Sequence, residues 1–323
     1  MSFVSQVRRA ILIGGLATSA LVFILAVSQD KLIYLKRSYE THGLRQYYHK
    51  AKGVFEDKTQ RVLLEVSYKT SFGDQTAFWV PPKGDVIRSQ TFERLWIVFG
   101  GNAQLALDWL WALERLAPSF QKDSFLLMDY PGYGRCQGNT QGSTTTMESV
   151  HIAAEKVVEM LYENRTTERP NVGILAHSIG CAAGLHYAAS SKYPVSHMVL
   201  ISPFASIPRM AAHLFFPSTI EHSPIVSTIT ESLVAPRNRW DNFRAIDEIG
   251  QQLRKKQDRM QVVIIHGDDD EVCPYKQGLE VYAKLQEYQP FVKSKFVRIY
   301  GGDHNGIIEV GLDQIQQAMR AKL

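Results

Sequence analysis

The stretch Asn171-Val172-Gly173-Ile174-Leu175-Ala176-His177-Ser178-Ile179-Gly180 constrains this chain more than any other. A short apolar run ends at a serine and a glycine, and a helical pattern follows from Ile179 to Ser191. Such a run reads as a buried strand that turns sharply into a helix. A serine at that turn is pushed out of the sheet on a strained backbone, the arrangement written Gly-x-Ser-x-Gly. Ala176 stands at the first small position, the mildest departure, and Gly180 keeps the second. The alternative reading is a small-residue packing seam without chemistry.

The rest of the chain supplies a frame for that turn. Arg61 to Tyr68 and Gln75 to Val80 read as a hairpin broken at Gly73-Asp74. Apolar runs at Leu95–Phe99, Phe125–Met128, His197–Ile201 and Val262–Ile265 have strand length, and Lys295–Tyr300 reads as the last strand. Helical patterns stand between them at Gln104–Leu116 and Thr146–Glu163, and Ile307 to about Lys322 closes the chain. Strands alternating with helices imply a mostly parallel sheet covered on both faces. The rhythm lapses across about 203–243, where five prolines mix with Phe204, Leu214, Phe215 and Ile225. That is too long for a plain connection, so a small helical cap over the sheet's carboxyl edge is expected. Its apolar content either lines an acyl pocket or merely shields the core.

A serine hydroxyl needs a base within hydrogen-bond reach and a group that orients the base. His304, in Gly301-Gly302-Asp303-His304-Asn305, follows the last strand and is the expected base. Asp270, in His266-Gly267-Asp268-Asp269-Asp270, is the expected orienting carboxylate, with Asp268 and Asp269 as competitors. Ser178, Asp270 and His304 therefore form the candidate triad, in the chain order Ser, Asp, His. His266 reads as structural, and the side chain of His177 is expected to point away from the hydroxyl. The backbone N–H of Ile179 is the first oxyanion donor, and Asn102 or Ala103, in Gly100-Gly101-Asn102-Ala103, is the second. No Gly-Lys-Ser/Thr follows those glycines, so a phosphate-cradling loop is discounted. No metal-ligand spacing is recognisable, and neither metal nor cofactor is expected.

The 323 residues are 45% hydrophobic and 21% charged, ample for a sizeable core, and the net charge is a mild +4. Basic residues form no aromatic-interleaved stripe, which argues against nucleic acid as a partner. Cys136, Cys181 and Cys273 imply neither a disulfide framework nor a zinc site. From Ala10 to Val27 run 18 residues without a charge, just enough to cross a bilayer as a helix. Residues 1–30 are thus expected to be an N-terminal transmembrane anchor, with a cleaved signal peptide as the alternative. Flanking basic residues leave the topology open, with the catalytic domain on the cytosolic face or in the secretory lumen. Asn164-Arg165-Thr166 is a glycosylation sequon. Residues 31–58, rich in tyrosine, read as a stalk or short helix, or as ordinary packing against a domain spanning 59–323.

Five marks in order, Gly-Gly-Asn-Ala, Asp-Tyr-Pro-Gly-Tyr-Gly, Ala-His-Ser-Ile-Gly, His-Gly-x-x-Asp and Gly-Asp-His-Asn, make the chain resemble the α/β-hydrolase superfamily from about residue 60 onward. Ser202-Pro203-Phe204-Ala205-Ser206-Ile207-Pro208 and Arg239-Trp240-Asp241-Asn242-Phe243 are similar to the cap borders of its membrane-anchored lysophospholipases, monoacylglycerol lipases and depalmitoylating thioesterases. Ala176 for the first glycine and Cys136 where serine is common depart from the pattern. The resemblance implies an α/β-hydrolase fold and hydrolysis of an ester, thioester or amide. The expected substrate is an acyl ester, a lipid or an acylated protein. A peptidase of the same fold and a non-catalytic binding protein are the rival readings.

Overall fold

The computed structural model describes residues 30, 33–40, 43–84, 92–136, 145–163 and 171–321. Eight strands form one sheet in the order β1-β2-β4-β3-β5-β6-β7-β8. They are β1 (Leu64–Thr70), β2 (Gly73–Val80), β3 (Leu95–Phe99), β4 (Ser124–Met128), β5 (Val172–His177), β6 (Val195–Ile201), β7 (Met260–Gly267) and β8 (Val292–Ile299). β1 and β2 pair antiparallel, as do β2 and β4, and every other pairing is parallel. The mixed, mostly parallel sheet expected from the alternation is therefore present. β3, β4 and β5 are buried at every position, which requires cover on both faces.

The front hairpin turns two residues earlier than Gly73-Asp74. Thr70 pairs with Gly73, so Ser71 and Phe72 make the turn. The Phe72 N–H donates to the Thr70 hydroxyl (3.1 Å), and Gly73 takes a φ of 102° that a side chain would resist.

The helices are α1 (Leu44–Thr59), α2 (Leu110–Leu116), α3 (Met147–Tyr162), α4 (Ile179–Ser190), α5 (Ile207–Phe215), α6 (Pro224–Leu233), α7 (Asn242–Lys256), α8 (Tyr275–Gln286), α9 (Ile307–Val310) and α10 (Leu312–Arg320). The closing helix expected from Ile307 onward is thus two pieces broken at Gly311. α3 starts where Thr146 and Ser149 cap each other, the Ser149 N–H donating to the Thr146 hydroxyl (3.1 Å). α5 and α6 pack on each other between β6 and β7 and make the helical cap. Ser206 and Ser223 cap their N-termini, and a proline occupies the first turn of each.

The tyrosine-rich segment before β1 is not a free stalk. Tyr34, Tyr39, Tyr48 and Phe55 join the hydrophobic core of the domain. Four large rings bury too much apolar surface to remain in solvent. Arg61 follows them into the interior, where its guanidinium donates to the carbonyls of Pro81 (2.6 Å), Phe120 (3.1 Å) and Asp123 (2.6 Å). The expected transmembrane run Ala10–Val27 and the sequon at Asn164 lie outside the described residues. Among the described residues no helix is long and apolar enough to cross a membrane.

At the sheet's two edges the outward positions are polar. Glu65 and Lys69 are exposed on β1, and Lys293, Lys295 and Arg298 are exposed on β8.

Candidate active site

Six parallel strands bring their carboxyl ends to one rim, and the candidate residues stand on the loops beyond four of them, β3, β5, β7 and β8. Ser178 follows β5 directly, with φ 56° and ψ −123°, a backbone shape that non-glycine residues rarely adopt. Two features hold it there. The Ser178 N–H donates to the Ile201 carbonyl at the end of β6 (2.9 Å). Gly180 also lets α4 start against β3. A Cβ at this position would lie 2.2 Å from the Phe99 carbonyl oxygen and 2.7 Å from that of Gly100. The close strand–helix approach that demands a small residue is therefore at Gly180.

Asp270 lies in the loop after β7. Its carboxylate accepts from the N–H groups of Val272 (3.0 Å) and Cys273 (2.8 Å). His304 lies in the loop after β8. Its Nδ1 is 2.8 Å and 3.0 Å from the two oxygens of Asp270, and its Nε2 is 3.0 Å from the Ser178 hydroxyl. A carboxylate only accepts, so Nδ1 carries the hydrogen and Nε2 is left bare toward the serine. All three residues are under a tenth exposed. Burial works to raise the Asp270 carboxyl. The His304 imidazole and the Cys273 N–H outweigh it and hold that carboxyl below the usual carboxylate range.

Asp268 and Asp269 are placed differently. Asp268 accepts from Arg298 (Nε, 2.8 Å) and from the Gly301 N–H (2.6 Å), which ties the two loops carrying Asp270 and His304 together. The Asp269 N–H donates to the Gly302 carbonyl across the same seam (3.2 Å). Gly267 permits this contact, since a Cβ there would meet that carbonyl oxygen at 2.0 Å.

The other two histidines at the rim serve as supports. His177 turns away from the hydroxyl and reaches the His304 carbonyl with Nε2 (2.9 Å). A carbonyl only accepts, so Nε2–H donates. Burial, with the neighbouring imidazole of His304, drives the His177 pKa down to about 3 and keeps the ring neutral. His266 is buried and reaches the Cys273 carbonyl (2.9 Å), and burial lowers its pKa too. One side chain here is not singled out by the motifs. The Cys273 sulfur is 4.0 Å from the Ser178 oxygen, and burial pushes its thiol up, which leaves it a neutral neighbour. No residue pattern marks it, because the loop after β7 brings it to Ser178 only in the fold.

Between the candidate oxyanion donors the structure draws a distinction. Ala103 has a φ of 60°, and its N–H donates to the Asn102 side-chain oxygen (3.0 Å). The N–H groups of Asn102 and Ile179 have no such partner among the described residues. Asn102 is therefore better disposed than Ala103 to donate into the site. Beside Ile179 lies a narrow aromatic cleft of about 10 Å³, room for about one water, walled by Tyr34, Tyr130, Tyr133, Ala183 and Trp240. Among the described residues no group of three His, Cys, Asp or Glu side chains converges as metal ligands would.

A model of the family described as "Alpha/beta hydrolase family" matches residues 99–321. An uncharacterized protein of Acanthamoeba polyphaga mimivirus, R595, is 24% identical over 227 residues, covering 68% of this chain and 70% of its own. The Pyrococcus furiosus esterase Pf2001 superposes with a TM-score of 0.57 at 15% identity, over 82% of this chain and 91% of the esterase. The peroxisomal alpha-beta-hydrolase Lpx1 of Saccharomyces cerevisiae gives 0.54 at 15% identity, over 81% and 90%. Pyrococcus horikoshii acylaminoacyl peptidase gives 0.56 at 13% identity, over 83% of this chain and 42% of the peptidase. At these identities the solved structures speak for the fold alone.

Proposed function

Given that the chain belongs to the alpha/beta hydrolase family, we propose that it is a serine hydrolase of acyl esters or thioesters, working through Ser178, His304 and Asp270. The observation that carries this reading is the unbroken run of hydrogen bonds from the Ser178 hydroxyl through His304 to Asp270. His304 Nε2 takes the serine proton as Oγ attacks the acyl carbon. The oxyanion forms toward the N–H groups of Ile179 and Asn102. Collapse expels the alcohol or thiol, which leaves with the proton from His304, and the acyl group stays on Ser178. Water then attacks, giving its proton to His304. A second collapse frees the carboxylic acid and restores the serine.

The substrate is a lipid or a lipidated protein, and the enzyme belongs with the membrane-anchored lysophospholipase-like hydrolases. Two features support this: the apolar run Ala10–Val27, and the cap, where Leu214, Phe215 and Ile225 are all more than half exposed. The anchor holds the enzyme at the bilayer that supplies its substrate. Amide cleavage is the second reading, prompted by the fold shared with an acylaminoacyl peptidase.

A fluorophosphonate probe is expected to label the wild type and leave Ser178→Ala unlabelled. Equal labelling of both, or none of the wild type, sinks the reading. Turnover of p-nitrophenyl acyl esters far above that of aminoacyl amides separates esterase from peptidase.

A further inference from the structure

The loop that carries Asn102 does not hold itself in place. Its side-chain amide makes four hydrogen bonds. The Nδ2 group donates to the Ile33 carbonyl (2.7 Å), while Oδ1 accepts from the Leu35 N–H (3.0 Å), the Tyr133 hydroxyl (3.0 Å) and the Ala103 N–H (3.0 Å). Two of those four partners are backbone groups of the arm at residues 33–37, more than sixty positions upstream. The amide thus pairs with the arm as one strand pairs with another. One turn on, the Arg37 guanidinium donates to the Ala103 carbonyl (2.9 Å) and to the Asp108 carboxylate (2.9 Å).

The same arm also builds the cleft. Tyr34 is buried, lies on the cleft wall, and donates its hydroxyl to Asn238 (3.0 Å) while accepting from the Trp240 indole (2.9 Å). Asp30 accepts from the Asn238 amide (2.5 Å) as well. The arm therefore bridges the loop after β3 to the border of the cap, and its Tyr34 walls the space beside Ile179.

We infer that residues 33–37 are a working part of the active site: the arm aims the Asn102 N–H at the oxyanion, and Tyr34, by filling the space beside Ile179, limits the length of acyl chain accepted there. Asn102 acts with its backbone on the reaction and with its side chain as a positioning group. Tyr34 is a specificity determinant. The inference rests on the serine-hydrolase reading above.

The test uses the full-length protein and p-nitrophenyl esters of graded acyl length. Fluorophosphonate labelling of the wild type is the control that separates the two claims, because an unlabelled wild type defeats the hydrolase reading before the arm is tested. With that control in hand, Asn102→Ala keeps the backbone N–H and removes the clamp together with the bonds from Tyr133 and Ala103, so Leu35→Pro is the variant confined to the arm. It is expected to lower kcat by about 10²-fold with KM nearly unchanged, the scale of an ångström-sized misplacement. Leu35→Pro deletes one N–H from an exposed residue and should lower kcat in the same direction. Tyr34→Ala should move the preferred acyl chain to a longer one, whereas Tyr34→Phe, which keeps the ring, should not. If Asn102→Ala fails to fold, the Leu35→Pro and Tyr34→Ala results decide. A kcat within twofold of wild type for the clamp variants, or an unchanged chain-length profile for Tyr34→Ala, overturns the inference.

Discussion

The rim that carries Ser178, Asp270 and His304 and the cap of α5 and α6 are held by different physics. Ser178, Asp270 and His304 are nearly buried, and each loop is tied to the next by backbone bonds, by Asp268 and Arg298, or by His177. The cap has two short helices with good N-terminal caps, and its tips Phe215 and Ile225 are 72% and 73% exposed. The rim is preassembled by the strand ends, so it has little freedom to adjust. The cap is tied mainly through its base. The rim and the cap are thus parts that can change independently.

The comparison can be broken at the rim first. Asp270→Asn should cost about 10⁴-fold in kcat, because the imidazole loses the partner that fixes its tautomer. Unchanged ester turnover would show that the relay is not the working part. Gly180→Ala tests the strand–helix contact rather than the chemistry. A methyl 2.2 Å from the Phe99 carbonyl should cost about 1–3 kcal/mol in urea unfolding, and an unchanged midpoint would disprove the tight approach.

A smaller effect concerns pH. The folded pKa of His177, about 3, lies below the ordinary histidine value of 6.5, so the unfolded chain binds more protons between the two. Its contribution to stability is present above pH 6.5 and is lost as pH falls toward 3. His177→Gln should flatten part of that acid slope in a series of urea midpoints. His186 and His197, also lowered by burial to about 4, keep the remainder. The smallest change is expected in the cap. Phe215→Ser with Ile225→Ser should shift stability by no more than about 0.5 kcal/mol and leave turnover of a short soluble ester unaltered. A large loss in either would mean that the cap is not separable from the rim.

What could be read from the residues follows the same division. Ser178 and His304 are legible because each sits where an apolar run stops at a strand end. Asp270 is harder, since three aspartates follow one another and only the fold shows that Asp268 faces Arg298 instead. The aromatic arm resists such reading. Its link to Asn102 runs between a side chain and two backbone groups distant in sequence, and backbone groups carry no residue signature. Cys273 escapes for a related reason: its closeness to Ser178 is created by two loops meeting. The turn at Ser71-Phe72 is displaced because Thr70 offers a side-chain acceptor that a glycine-based expectation ignores. The amphipathic helix α7 and the helix α8 are equally real, yet they carry no motif and so attract no notice.

One feature of the sheet bears on how copies of this chain behave when crowded. An outer strand with unpaired N–H and C=O groups can recruit a strand from another molecule. β8 carries Lys293, Lys295 and Arg298 on its exposed positions, and β1 at the far side carries Glu65 and Lys69. Bringing two β8 strands together would stack cation against cation and strip their hydration. The β8 margin of the sheet thus discourages runaway polymerisation.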